Sequence, residues 1–219
     1  VSWQCVCRAF HQLLGAQGAQ PNSAIVIDFA NVRIYASMMS QLAIQLPAYA
    51  NQTELNLRRW EEVLADPTLA RLEQRIETDR HGHIIMSPPP GSHHSDFQTK
   101  ILLHLHRLLS HGEPRVEVPV STPDGVRAAD VAWTSDLRFK QIYDARAYRE
   151  APDICIEVIS PSNTNEEMRE KKALYFASGA REVWLCLRTG EMEFFSGSAP
   201  EQKMDRSEIC ANFPATIDD

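Results

Sequence analysis

Glu157 stands alone in an apolar run, Ile154-Cys155-Ile156-Glu157-Val158-Ile159, that breaks at once into Ser160-Pro161-Ser162-Asn163-Thr164. A buried strand rarely tolerates a charge unless it is paired or binds a cation. A carboxylate held there on a rigid strand, next to a helix start, is a candidate metal ligand; the alternative is a strand-end glutamate paired with an arginine. Two more acidic residues, Glu77 and Asp130, sit on or beside strand-like stretches, and Lys171 lies in the helical stretch after Glu157. Hydrolysing a phosphodiester near neutral pH calls for a divalent cation, usually Mg²⁺, held by oxygen ligands to neutralise developing charge and activate water. A lysine near the attacking water assists. Two carboxylates on adjacent strands and a lysine facing them supply those parts, although acidic residues beside strands also occur by chance in many α/β proteins.

The surrounding pattern supplies elements to hold these groups. Asn56 is an N-cap signal for a helix carrying Leu57, Trp60, Val63 and Leu64 and ended by Asp66-Pro67. A short helix is expected over Leu69–Gln74, then two strands, Arg75–Asp79 and His83–Ser87, turning at Gly82. Phe97, Ile101, Leu102, Leu105, Leu108 and Leu109 form an apolar helix stripe from His94 to Ser110. Val116, Val118 and Val120 alternate as a half-buried strand should, and Pro123-Asp124-Gly125 turns the chain into a strand over Arg127–Trp133. After a short helix or loop over residues 136–150 come the strand Ile154–Ile159, a helix Thr164–Ser178 stopped by Gly179, and strands Val183–Leu187 and Glu191–Phe195. The tail from Ser196 is weakly patterned. This order predicts an α/β fold, helices around a mixed sheet, in a single domain over residues 38–219. Residues 1–37 have mixed composition and are expected to be a weakly ordered N-terminal extension, since Met38-Met39-Ser40-Gln41 reads like an ordinary protein start.

The 219 residues are 43% hydrophobic and 23% charged, as in a soluble globular protein. A net charge of -7 gives no overall basic surface, so a nucleic-acid partner would have to be drawn by a local patch or by bound cations. Five scattered cysteines without a C-x-x-C pair make neither a disulfide framework nor a zinc finger and fit the cytoplasm. No apolar stretch approaches the roughly 18 residues of a membrane span. Seven of the eight histidines fall between His81 and His111, but none joins a cysteine or an H-E-x-x-H pattern, which argues against zinc.

From about Thr53 to Phe195 the chain resembles the Uma-type putative restriction endonuclease family, a branch of the PD-(D/E)XK nuclease superfamily. The matching strings, in order, are Ile76-Glu77 with Gly82 and Ile84-Ile85-Met86-Ser87-Pro88-Pro89, then Arg127-Ala128-Ala129-Asp130. Pro152-Asp153 through Glu157-Val158-Ile159-Ser160-Pro161-Ser162 follows, then Glu170-Lys171, Tyr175, Gly179 and Glu182-Val183-Trp184-Leu185. The resemblance implies a restriction-endonuclease-like fold and Mg²⁺-dependent cleavage of DNA, with Mn²⁺ able to substitute and a homodimer expected. Residue by residue, Asp130 falls on the first motif aspartate and Glu157 on the acidic residue of the second. Both would bind the metal, with Glu77 as the upstream acidic residue assisting. Lys171 falls on the family's helix-borne lysine and would orient or polarise the attacking water.

Two departures bear on that assignment. Ala129 stands where the motif usually has proline, and Ile159 occupies the superfamily's usual lysine position, which makes the helix lysine essential. Lys172 competes with Lys171 for that role, because both neighbour Met168 and Tyr175 on the helix. Asp153 begins the strand that carries Glu157 and reads as structural, too far along it to share one ion. His94 at a helix start is a candidate contact to substrate phosphate, as are the hydroxyls of Ser160 and Ser162 at another; capping explains the serines equally well. The alternative to a nuclease is a catalytically inactive member of the fold that binds nucleic acid or protein.

Overall fold

The computed structural model describes residues 24–28, 33–37, 43–45, 51–142 and 146–218. The chain separates into two units, residues 1–49 and 50–219. In the first, β1 (Ala24–Asp28) pairs antiparallel with β2 (Arg33–Ser37) and parallel with β3 (Ala43–Gln45). These short strands carry no long alternation that sequence patterning could have detected. The rest of the expected extension over residues 1–37 lies outside the described residues.

The second unit opens with α1 (Gln52–Ala65) and a 3-10 turn (Leu69–Arg71), shorter than the helix expected there. The N-cap of α1 is Asn51, whose side chain accepts from Glu54 N at 3.0 Å, and not Asn56. Asn56 sits inside the helix and is buried, because its amide donates to Ser121 Oγ at 2.9 Å and the Thr122 carbonyl at 2.8 Å. The same residue type thus serves as a cap at one position and as a tertiary clamp one turn later. A hairpin follows, β4 (Arg75–Thr78) with β5 (Ile84–Ser87), and then α2 (Ser92–Leu108).

Six strands form the main sheet: β6 (Glu113–Thr122), β7 (Gly125–Thr134), β8 (Ile154–Val158), β9 (Glu182–Cys186), β10 (Met192–Ser196) and β11 (Ala199–Met204). Their spatial order follows the sequence, and every neighbouring pair is antiparallel except β8 and β9. That one parallel pair needs a crossover, which α4 (Asn165–Ala177) provides; α3 (Asp136–Ile142) lies in the connection between β7 and β8. A capping box fixes the start of α4, with Thr164 accepting from Glu167 N at 3.1 Å.

The helices cover opposite faces of the sheet. Phe97, Ile101 and Leu105 of α2 pack with Val131, Ile154, Ile156, Val158 and Trp184. Tyr175 of α4 packs with Ala129, Ala132, Cys155 and Val183. Residues alternate between these two layers along β8, as the two-residue period of a strand requires, so Glu157 shares the α4 face with Cys155. The expected alternation of Val116, Val118 and Val120 breaks in one place. Glu117 has φ 52, and beyond it Val116 is 46% exposed while Val118 and Val120 are buried. The weakly patterned tail supplies β11, and Cys210, Phe213 and Ile217 close the α2-side core.

Candidate functional site

The site forms where β7 and β8 part. The register pairs Val131 with Ile156 and continues to Ala132 and Trp133. One step in the other direction Asp130 faces Glu157, and there the ladder ends. The Val158 N–H instead donates to Asp130 Oδ2 at 2.6 Å. Beyond that point β7 has backbone groups that β8 does not reach, and buried backbone groups must be paired. Side chains of β4 pair them: Thr78 Oγ1 accepts from Val126 N at 3.0 Å and Glu77 Oε1 from Ala128 N at 2.9 Å, while Arg75 donates to the Ala128 carbonyl. Close approach of β4 requires Gly125 at the β6–β7 turn, where φ is +92 and a Cβ would lie 2.1 Å from the Thr78 carbonyl.

These backbone requirements bring three carboxylates together. Glu77, Asp130 and Glu157 are 6%, 1% and 3% exposed. Lys171 reaches down from α4, its Nζ 3.1 Å from Glu77 Oε1 and 3.2 Å from Glu157 Oε2. Tyr175, one turn later, donates to Glu157 Oε1 at 2.6 Å. Arg75 meets Asp130 Oδ1 at 2.5 Å, and His94 Nε2 lies 3.2 Å from Asp130 Oδ2.

Three buried carboxylates crowd against Lys171 and Arg75, with Arg127 3.9 Å from Glu77 and His94 against Asp130, and burial makes any incompletely paired charge expensive. Glu157 bears that cost. Burial, reinforced by Asp130 and Glu77, outweighs Lys171 and pushes its carboxyl up to about 7. Burial also opposes ionisation of Glu77, but Lys171 and Arg75 hold it below the usual range. At Asp130 burial is again outweighed, here by the His94 hydrogen bond and by Arg75. Lys171 is raised, because Glu157 and Glu77 overcome its burial. His94 is raised in the same way by Asp130.

The structure therefore gathers Glu77, Asp130, Glu157 and Lys171 into one cluster and sets His94 against Asp130. Lys172 points elsewhere: its Nζ donates to the Pro200 carbonyl at 2.7 Å and lies 4.1 Å from the centre of the Phe195 ring. Asp153 accepts from Ser135 N at 2.8 Å and lies 3.9 Å from Arg138, fixing the start of β8. Ser160 and Ser162 share a 2.9 Å hydrogen bond, and Ser160 Oγ also donates to Asn163 Oδ1 at 2.8 Å, a network local to the turn before α4.

Sequence reading missed Arg75, Gln98 and Glu117. Gln98 donates to Glu117 Oε1 at 2.8 Å and to the Asp130 carbonyl at 3.2 Å, and Glu117 Oε2 lies 3.3 Å from Arg75 Nε. Only the left-handed backbone of Glu117 marks it, at a cost of order 1–3 kcal/mol, and no sequence pattern shows that. Arg75 did carry a signal: an arginine two residues before a strand glutamate points to the same side.

Among the described residues, no group of three or more His, Cys, Asp or Glu side chains is arranged as a ready metal shell. The Lys171 ammonium lies within ion-pair reach of both Glu77 and Glu157, and the Arg75 guanidinium is against Asp130. The donors themselves are hard carboxylate oxygens, a chemistry that suits Mg²⁺ or Mn²⁺ and not a soft ion.

A family model described as Uma2, putative restriction endonuclease, matches residues 60–212. Among solved structures, the chain is similar to a putative nuclease belonging to DUF820 from Anabaena variabilis ATCC 29413. The two are 17% identical with a TM-score of 0.58, over 72% of this chain and 93% of that one, which shows a shared fold. No curated protein matches the chain. No helix among the described residues is long and apolar enough to cross a membrane.

Proposed function

The chain belongs to the Uma2 putative restriction endonuclease family, and from that premise we propose that it is a metal-dependent endonuclease that hydrolyses DNA phosphodiester bonds with an activated water. The observation that carries this reading is the placement of Lys171 Nζ within 3.1 and 3.2 Å of two buried carboxylates at the point where two strands part. Asp130 and Glu157 would hold Mg²⁺ or Mn²⁺, with Glu77 assisting. A divalent cation there supplies charge neutralisation at the scissile phosphate and a more acidic water.

The chain's own residues do the remaining work. Lys171 orients the attacking water and stabilises charge beside it, and Glu77 keeps the ammonium from leaving the cleft. Tyr175 holds Oε1 of Glu157 and Lys171 meets Oε2, so both oxygens are fixed in direction before an ion arrives. His94, whose proton affinity is raised by the Asp130 hydrogen bond against the effect of burial, would contact a substrate phosphate. Ser160 and Ser162, at the turn leading into α4, offer hydroxyls to the backbone of the same strand. A homodimer would place two such sites on opposite strands of a duplex.

The neutralisation of the cluster by Lys171 and Arg75 supports a second reading, a catalytically inactive fold that binds nucleic acid or protein. Plasmid nicking with Mg²⁺ or Mn²⁺ against EDTA, in the wild type, Asp130→Ala and Glu157→Ala, separates the two. Metal-dependent nicking lost in both variants supports the nuclease. Unchanged nicking in both refutes the site assignment, and no cleavage of any nucleic acid favours the binding module.

A further inference from the structure

Arg75 is the cluster cation that the proposed catalysis does not use. Its guanidinium faces Asp130 Oδ1 at 2.5 Å and donates to the Ala128 carbonyl, so two of its nitrogens take the geometry that a cation bridging a carboxylate and a carbonyl oxygen would take. The third nitrogen, Nε, is buried and makes no hydrogen bond, although Glu117 Oε2 is 3.3 Å away. Glu117 is a prepared acceptor: Gln98 holds its other oxygen at 2.8 Å, and its backbone takes the left-handed conformation directly across from Asp130. Arg75 and Glu117 also line a cavity of about 290 Å³, with Trp60, Leu69, Ile76 and Pro119 among its walls. The arginine thus has a second carboxylate to pair with and open volume to move into.

From this geometry, and resting on the metal reading above, we propose that Arg75 occupies the cation's place on Asp130 in the free protein and gives it up when a divalent ion binds, pivoting onto Glu117. A charged, planar fork in the ligand position keeps the Asp130 carboxylate ordered without metal. It also sets a threshold, because any ion must displace a charge-assisted hydrogen bond to bind. The competition is local and geometric: it depends on the planar guanidinium reaching Asp130 and Ala128 together, which a lysine ammonium does not do.

The test is Mn²⁺ binding by calorimetry to the whole chain, in the wild type, Arg75→Lys, Arg75→Gln and Asp130→Asn, each checked for cooperative unfolding. Removing one charge-assisted hydrogen bond that competes with the ion is expected to tighten Mn²⁺ binding on the order of tenfold or more in Arg75→Gln. Most of that gain should already appear in Arg75→Lys, which keeps the charge; if Arg75→Gln does not fold, Arg75→Lys carries the test. Tightening only in Arg75→Gln would overturn the proposal in favour of a general field effect. Unchanged affinity in both, with binding lost in Asp130→Asn, would overturn it while leaving the metal site intact. Failure of every protein to bind Mn²⁺, or binding indifferent to Asp130→Asn, would bring down the metal reading and this inference together.

Discussion

Glu157 and Glu182 stand on the only parallel pair of strands in the main sheet, are 3% and 2% exposed, and are surrounded by different partners. Around Glu182 the protein sets neutral donors on both oxygens. Trp184 Nε1 and Ser207 Oγ reach Oε2 at 2.7 Å each, and Glu208 N and Ile209 N reach Oε1 at 2.8 and 2.9 Å. Such a carboxylate is finished: every acceptor site is used, and the tail is pinned to the sheet. Glu157 has one hydroxyl and one shared ammonium, with two other carboxylates pressing on it. Its environment leaves charge unmet, and unmet charge in a rigid setting is what a cation or a reacting group can use. A buried carboxylate by itself therefore says little; what surrounds its oxygens separates anchor from reagent.

The largest effect expected from this contrast is on activity. Glu157→Ala should lower metal-dependent nicking on the order of a thousandfold, as loss of a group that stabilises transition-state charge does. Lys171→Met should be of similar severity. Glu182→Gln should retain nicking per folded molecule. Equal loss in Glu157→Ala and Glu182→Gln would break the comparison.

Stability should reverse the ranking. Glu182→Gln turns an amide NH₂ toward donors and strands at least one buried donor, at about 2 kcal/mol. Urea unfolding would register the loss, and amide exchange at Glu208 and Ile209 would localise it. The pH dependence separates the two sites further. Glu157 moves from an ordinary 4.5 to about 7 on folding, so the folded state binds its proton more tightly. Its contribution to stability is complete below 4.5 and is lost as pH rises through about 7, a difference of at most about 3 kcal/mol. Glu77 and Asp130 are lowered and behave oppositely, stabilising above their ordinary values and losing that as the solution turns acid. In EDTA, wild type should therefore fall relative to Glu157→Gln between pH 5 and 8. Parallel curves for the two proteins would contradict the charge conflict at Glu157.

The comparison also marks how far the sequence could be read. The strands and helix that hold Glu77, Asp130, Glu157 and Lys171 carry a turn glycine, an apolar run or a capping pattern at their ends, and their order and approximate limits were legible. So was the coming together of those four residues, through the strings Arg127–Asp130 and Pro152–Ser162. The donors around Glu182 were not, because Ser207, Glu208 and Ile209 lie in a tail with no period, and their N–H groups act as backbone rather than as side-chain types. Asn51 and Asn56 show the same limit: two asparagines look alike as caps, and only the hairpin brought against Asn56 distinguishes them. Arg75 and Glu117 depend on a left-handed residue inside a strand, which local propensity argues against. What is periodic is legible; what depends on where two distant backbones meet is not.

The finest probe exchanges single hydroxyls. Ser207 and Tyr175 each donate one hydrogen bond to a buried glutamate, at 2.7 and 2.6 Å. Ser207→Ala leaves Glu182 with three donors and should cost about 1 kcal/mol, since the remaining N–H groups continue to satisfy the carboxylate. Tyr175→Phe leaves Glu157 with Lys171 alone. A hydroxyl donated to a carboxylate favours the charged form, so its loss should raise the Glu157 midpoint above 7, and the cost should grow as pH rises through that midpoint. Urea midpoints from pH 5 to 9 in EDTA would show a widening offset for Tyr175→Phe. A flat offset for Tyr175→Phe would mean that Glu157 carries no unmet charge for that hydroxyl to relieve, and the distinction between anchor and reagent would have no physical basis in this protein.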